Sequence, residues 1–171
     1  RQPRILLTND DGAHARGLRA VYDSLSVFAD VTVVAPSNQH SGASHCITLD
    51  TPLRAHPLKE LPGFRVDFTP VDCVKLALSH LLDTRPDLVV SGINRGSNGG
   101  QLVHYSGTVA AAKEAALAGV PAVAFSLAQW RKPDFAAAAK VAALIVPRVL
   151  DQGLPPMTVL NVNVPPGPFS E

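Results

Sequence analysis

Short apolar runs that stop at polar or glycine-rich stretches alternate along this chain with segments of helical spacing, and few architectures accommodate that alternation. Arg4-Ile5-Leu6-Leu7-Thr8 is the first run and ends at Asn9-Asp10-Asp11-Gly12, the pattern of a buried strand entering a loop. Between Gly17 and Phe28 the residues Leu18, Val21, Tyr22, Leu25 and Phe28 recur every three or four positions and form one helical face. Asp30 to Ala35 is a β-branched run closed by Pro36 and the polar stretch Ser37-Asn38-Gln39-His40-Ser41-Gly42, which predicts a second strand and its loop.

The middle of the chain is less regular. Ile47 to Leu53 and Phe64 to Phe68 are predicted as short strands and Val71 to Leu82 as a helix, with no strand order assigned. Pro86 to Ser91 reads as another buried strand that opens into a glycine-rich loop, Gly92-Ile93-Asn94-Arg95-Gly96-Ser97-Asn98-Gly99-Gly100. Glycine makes a loop costly to order, so a long one inside a compact domain points to a functional site. Ser106 or Thr108 would cap a helix over Val109 to Ala118. Pro121 to Leu127 reads as a strand, Asp134 to Leu150 as a helix containing Pro147, and Thr158 to Val164 as a last strand before Pro165-Pro166-Gly167-Pro168, an exit from the domain. The alternation predicts a doubly wound, mostly parallel α/β sheet spanning residues 1–171 as one domain.

Composition excludes several function classes. Hydrophobic residues make up 46% of the chain and charged residues 17%, too apolar for disorder and too interrupted for a membrane span. Fifteen Lys and Arg against fourteen Asp and Glu, with no basic run, argue against long nucleic acid as a ligand. Cys46 and Cys73 form no ligand-spaced cluster, and the first residues lack the order of a signal peptide; the expectation is a reducing, cytoplasmic setting. No GxxxxGK[ST], GxGxxG, GxSxG or HExxH is present, which leaves ATP-loop, dinucleotide, serine-hydrolase and zinc-protease readings without an anchor.

Open parallel sheets bind ligands outside the carboxyl ends of their strands, and three loops there carry hard oxygen donors. Asp10-Asp11 follows the first strand, Ser37 to Ser44 the second, and Asn94 with Asn98 the strand ending at Ser91. Adjacent carboxylates stay ionised together more readily beside a cation, and carboxylate, hydroxyl and amide oxygens suit Mg²⁺ or Mn²⁺ better than Zn²⁺. Alone, Asn9-Asp10-Asp11-Gly12 reads first as a common turn whose side chains bond the backbone. At Tyr105-Ser106-Gly107-Thr108 a helix N-terminus with two hydroxyls makes either a phosphate cradle or an ordinary cap. His14, His40, His45 and His104 fall in these loops, where a supporting or proton-transfer role competes with simple surface exposure; none is assigned a catalytic role.

Four blocks taken together resemble the survival protein SurE family: Ile5 to Gly12; Val33-Val34-Ala35-Pro36 with Ser41-Gly42-Ala43-Ser44; Pro86 to Asn94; and Tyr105 to Ala112. They occur in family order and the similarity extends over nearly the whole chain. The resemblance implies a Rossmann-like, SurE-like fold and a metal-dependent acid phosphatase acting as a 5′- or 3′-nucleotidase. It implies one divalent ion, Mg²⁺ or Mn²⁺, on Asp10, Asp11, Ser41 and Asn94. Asn9, Asp10 and Asp11 become the catalytic candidates, and Asn98, Ser106, Gly107 and Thr108 the phosphate-binding ones. A nucleoside monophosphate substrate and a homodimer or homotetramer follow from the same resemblance. The chain departs from the family pattern at Asn98-Gly99-Gly100-Gln101-Leu102, and family members usually continue beyond the position of Glu171 into an arm exchanged between subunits, so the expectation is a domain without that arm. The expected reaction is in-line attack on phosphorus by a metal-activated water. A phosphoaspartyl intermediate on Asp10 or Asp11 is its mechanistic rival, a nucleotide-binding module with little turnover its functional one, and a Rossmann-type dehydrogenase a third reading.

Overall fold

A computed structural model describes residues 1–167. Its strands are β1 (Arg4–Thr8), β2 (Asp30–Pro36), β3 (Ala55–Pro57), β4 (Gly63–Val66), β5 (Leu88–Arg95), β6 (Ala122–Leu127) and β7 (Val159–Val164), and its α-helices are α1 (Arg16–Leu25), α2 (Pro70–Leu76), α3 (Gly107–Leu117) and α4 (Phe135–Gln152). They form one seven-stranded sheet in the order β3-β4-β2-β1-β5-β6-β7. Every pairing is parallel except that of the short edge strand β3 with β4. The doubly wound, mostly parallel α/β sheet read from the alternation is therefore the observed architecture.

Period-two alternation explains the two layers. Ile5 and Leu7 point into the core shared with α1 and α4, where Leu18, Val21, Leu25, Ala138, Ala142 and Val146 meet them. Leu6 points the other way, into the core with Val74, Ala111, Ala112 and Ala115 of α2 and α3. Strands covered on both faces must be apolar at every position, and the central strands are continuous runs for that reason. On α3 the residues facing the sheet are mostly alanines, which let the helix backbone lie close to the strands.

Three expectations need correction. Ile47 to Leu53 does not form a strand. Thr48 turns inward, its N–H donating to Asp72 Oδ1 at 2.9 Å and its hydroxyl to Oδ2 at 2.8 Å, while Leu49 is 80% exposed. The free edge of β4 is taken by β3 instead. The glycine-rich stretch also starts later than expected, because β5 continues through Gly92-Ile93-Asn94-Arg95 with a bulge between Ser91 and Asn94 in its register with β6; Gly92 supplies the positive φ of 135° there. Finally, the helix predicted over Val71 to Leu82 is α only to Leu76 and finishes as a π-helical turn, Ala77–Leu81. The other predicted helices fall within a few residues of their expected ends; Asp134 caps α4 and Pro147 lies inside it. Of the proline-rich exit, Pro168 lies outside the described residues.

The sheet order places the chain's reversal between β1 and β5, which pair directly from Ile5–Leu88 to Thr8–Ser91. Loops leaving the two strands diverge there and open a crevice. The loop after β2 is drawn over the same edge by its attachments: Ser44 N–H to Tyr105 C=O at 3.0 Å, the Ser44 hydroxyl to His104 C=O at 3.0 Å, His45 to Glu114 at 2.8 Å, and Thr48 to Asp72. Asp72 is 1% exposed. It also closes a capping box with Thr69 at the start of α2, so one carboxylate serves both helix and loop.

Replacing Asp72 by alanine is expected to cost about 3 kcal/mol of unfolding free energy, since the cap and charged hydrogen bonds to buried groups are lost together. Urea denaturation measures that loss, and faster amide exchange at Thr48 would accompany it.

Candidate functional site

The turn after β1 separates its two carboxylates. Asn9, fully buried, donates its side-chain amide to Gly12 C=O at 2.9 Å and accepts the Gly12 N–H at 3.2 Å. Its amide thus holds the turn closed. Asp10 turns inward toward the start of α3, where the Thr108 hydroxyl donates to Oδ1 at 2.5 Å. Asp11 turns outward, with Oδ2 accepting the Arg95 N–H at 3.2 Å and Oδ1 facing the Gln39 amide at 3.4 Å. The loop after β2 is tied in by His40, whose N–H donates to Asp10 C=O at 2.8 Å.

The beginning of α3 supplies the other wall. Ser106, not Thr108, is the cap: its hydroxyl accepts the Val109 N–H at 3.1 Å. Thr108 is thereby free to serve Asp10. Gly107 is the only residue type that fits between them, because a Cβ there would lie 2.9 Å from Asp10 Cβ. The N-terminal amides of α3 thus approach the carboxylate pair with no side chain intervening, and the positive end of the helix dipole faces the crevice.

Electrostatics follow burial. Desolvation raises the Asp10 carboxyl from 3.8 to about 6; the Thr108 hydroxyl and amide oppose the rise and the Asp11 charge adds to it. Asp11 is raised too, again by desolvation first, against the Arg95 amide and charge. Two carboxylates pushed upward by burial form a site that gains from a nearby cation.

The remaining predicted residues divide. Ser41 is exposed at the rim, and the Gln39 amide that faces Asp11 also donates to its hydroxyl at 2.7 Å. Asn94 donates its amide to Gly96 C=O at 2.8 Å, which turns its Oδ1 away from that bond. Asn98 is 7% exposed and held from β6 and β7: its amide donates to the Ser126 hydroxyl at 2.9 Å, and its N–H to Asn163 Oδ1 at 2.7 Å. The structure thus joins Asp10 to Thr108, and Asp11 to Ser41 through Gln39, while Asn98 anchors the glycine-rich loop to the sheet. Of the histidines, His40 contributes its backbone, His104 its carbonyl, and His45 an ion pair with Glu114; His14 lies exposed.

A hard cation fits this donor set. Among the described residues no three His, Cys, Asp or Glu side chains gather at metal spacing, so an ion would draw on both aspartates and on neutral oxygens. One N–H donor already lies between Asp11 Oδ1 and Ser41 Oγ, a position of converging acceptors that suits positive charge. Sequence reasoning missed Gln39, Arg16 and Arg95, which with Asp11, Pro133 and Phe135 line a cavity of about 280 Å³ beside the carboxylates. Gln39 stands in a loop already marked as a site loop, and Arg95, the last residue of β5, in the stretch expected to be one; nothing in the spacing of Arg16, in the first turn of α1, distinguishes it from a solvated face.

A family model described as survival protein SurE matches residues 5–171. The 5′-nucleotidase SurE of Chlorobium phaeobacteroides is 51% identical over 174 residues, which covers 100% of this chain and 67% of the relative. That of Pelobacter propionicus is 52% identical over 169 residues, covering 98% and 68%. The crystal structure of the SurE protein from Aquifex aeolicus superposes with a TM-score of 0.90 at 42% identity, covering 95% of this chain and 66% of that one. The chain thus spans about two thirds of the length of the proteins it matches. Among the described residues no helix is long and apolar enough to cross a membrane.

The raised Asp10 carboxyl sets a pH dependence of stability. Between 3.8 and about 6 the folded protein keeps a proton that the unfolded chain has released, so stability falls as pH rises through that window. Without divalent ions, Asp10→Asn is expected to gain about 3 kcal/mol near pH 8 and progressively less toward about pH 4. Denaturant titrations at several pH values check this; a gain independent of pH would refute the burial origin.

Proposed function

The chain belongs to the survival protein SurE family, and from that membership we propose that it is a metal-dependent nucleotidase releasing phosphate from nucleoside 5′- or 3′-monophosphates. The observation that carries this reading is the meeting of the Asp10-Asp11 turn with the N-terminus of α3, joined by the Thr108–Asp10 bond. It puts an acidic pair beside a helix N-terminus, an arrangement that supports the two demands of phosphoryl transfer, a held cation and N–H donors for phosphate.

In this reading Asp10, Asp11, Ser41 and Asn94 hold one Mg²⁺ or Mn²⁺. The ion supplies charge that polarises a phosphoryl oxygen and acidifies the attacking water. The chain's own residues do the rest. The Gly107 amide at the start of α3 faces the equatorial phosphoryl oxygens and stabilises the charge that builds on them without reorganising, since α3 is already packed, while the Thr108 amide and hydroxyl both serve Asp10. Ser106 keeps that helix end in shape. Thr108 holds Asp10 in one rotamer, and the Arg95 N–H does the same for Asp11. Asn9 preserves the turn that splays the two carboxylates, and Asn98 binds the glycine-rich loop down while its second amide proton remains for phosphate. Proposed alongside are a cytoplasmic setting, from the cysteine usage and the first residues, and acid phosphatase behaviour and a homodimer or homotetramer, from the family resemblance.

Phosphate release from AMP or GMP with Mn²⁺ or Mg²⁺ is the direct test. Chelation is expected to abolish it and readdition of metal to restore it, and Asp11→Asn should lower kcat/KM by about 100-fold, the loss of several kcal/mol of charge stabilisation. Nucleotide binding without metal-dependent release would overturn the enzymatic reading in favour of a binding module, and covalent phosphate trapped on Asp10 or Asp11 would replace direct water attack.

A further inference from the structure

We propose that Trp130, braced by Arg95, is the nucleobase platform of this site, on which the base of a bound nucleotide stacks. The inference rests on the nucleotidase reading and adds to it a residue that holds the substrate's far end. Trp130 is the only tryptophan in the chain and is 65% exposed. It lies in the segment 128–134 between β6 and α4, on the same carboxyl edge of the sheet as the carboxylates. An indole left in water forgoes the stabilisation that its burial would bring, yet this one is held in place. Its six-membered ring lies so close to Gly96 that a Cβ there would come within 2.6 Å of it. The Arg95 guanidinium stands 5.6 Å from the ring centroid, a cation–π distance.

Arg95 also connects the indole to the reaction centre, because its N–H donates to Asp11 Oδ2 and its side chain lines the 280 Å³ cavity with Asp11, Arg16, Pro133 and Phe135. One end of that cavity is carboxylate, suited to a cation with phosphate. Two arginines and the ring-bearing Pro133 and Phe135 are among its lining residues, a composition suited to ribose phosphate, and Arg95 leads from it to Trp130. Stacking is worth about 1–3 kcal/mol per base and tolerates every base, because each has a π-face. A platform of this kind predicts turnover of all nucleoside monophosphates, with purines, the larger faces, held more tightly than pyrimidines.

Because the chain has a single tryptophan, its fluorescence reports this contact directly. With Mg²⁺ present, AMP is expected to quench it saturably and ribose 5-phosphate, which lacks a base, to leave it unchanged. Trp130→Ala should raise KM for AMP about tenfold, the equivalent of about 1.4 kcal/mol, with kcat altered by less than about twofold and ribose 5-phosphate kinetics unaffected. Trp130→Phe, which keeps a stacking face, should recover most of the loss. Equal quenching by AMP and ribose 5-phosphate, or a Trp130→Ala effect that is absent or the same for both substrates, would overturn the platform. The two readings fail separately. Saturable AMP quenching in a protein that releases no phosphate sustains the platform and removes the nucleotidase, whereas AMP turnover without quenching does the reverse.

Discussion

Direct pairing of β1 with β5 is the constraint from which the rest of the molecule follows. These strands are not consecutive, and between them the chain goes out through β2, β3 and β4 and back through α2 before taking its place on the other side of β1. Both are apolar on both faces, so helices must cover each side, and their loops must part at the carboxyl end. Asn9-Asp10-Asp11 leaves one strand and the glycine-rich stretch leaves the other at the same height. The crevice is thus a consequence of connectivity; side chains only line it. Thr8 and Ser91, register partners on the last rung, have fully buried hydroxyls without a partner among the described residues, which shows how far polarity already reaches into the sheet at that point.

Burying Asp10 works against stability, and the protein tolerates it because its neighbours share one purpose. Desolvation pushes the carboxyl up, the Thr108 hydroxyl and amide pull it down, and Asp11 adds repulsion. A carboxyl in such balance is poorly suited to holding the fold together and well suited to receiving positive charge. The same logic explains Gly107. Any larger residue would separate the α3 amides from Asp10, so the cradle and the carboxylate can coexist only across a missing side chain.

Much of this was legible in the sequence, and where it was not the reasons are physical. β1, β2 and β6 announce themselves because strands buried on both faces leave unbroken apolar runs ended by polar residues. The carboxylate pair and the α3 cap were readable because loops at one sheet edge collect polar residues, whereas Ser41 was singled out only through the family resemblance. Ile47 to Leu53 misled because its alternation is that of a strand, whereas Thr48 is turned inward by Asp72, a partner 24 residues away that no local pattern reveals. The late start of the glycine-rich loop was hidden for a related reason: glycines suggest irregular chain, but Gly92 sits in a bulge whose flanks still pair. Trp130 carries no signal at all and Arg95 none beyond its place in the glycine-rich stretch, since they meet only after β5 and β6 are laid side by side.

The attachments of the loop after β2 have a mechanical consequence. That loop bears Ser41, and it is fastened to α3 at Glu114, to the residue preceding the α3 cap at Tyr105, and to α2 at Asp72. Helix α3 is therefore frame as well as cradle. The same loop is bonded to the carboxylate turn, by the His40 N–H to Asp10 C=O and by Gln39 between Ser41 and Asp11, so the rim hydroxyl keeps its spacing to both the α3 cradle and Asp11. The site is thus one frame, with α3 and its strapped loop joined to the β1 turn at two points, where the Thr108 hydroxyl donates to Asp10 Oδ1 and the His40 N–H to Asp10 C=O.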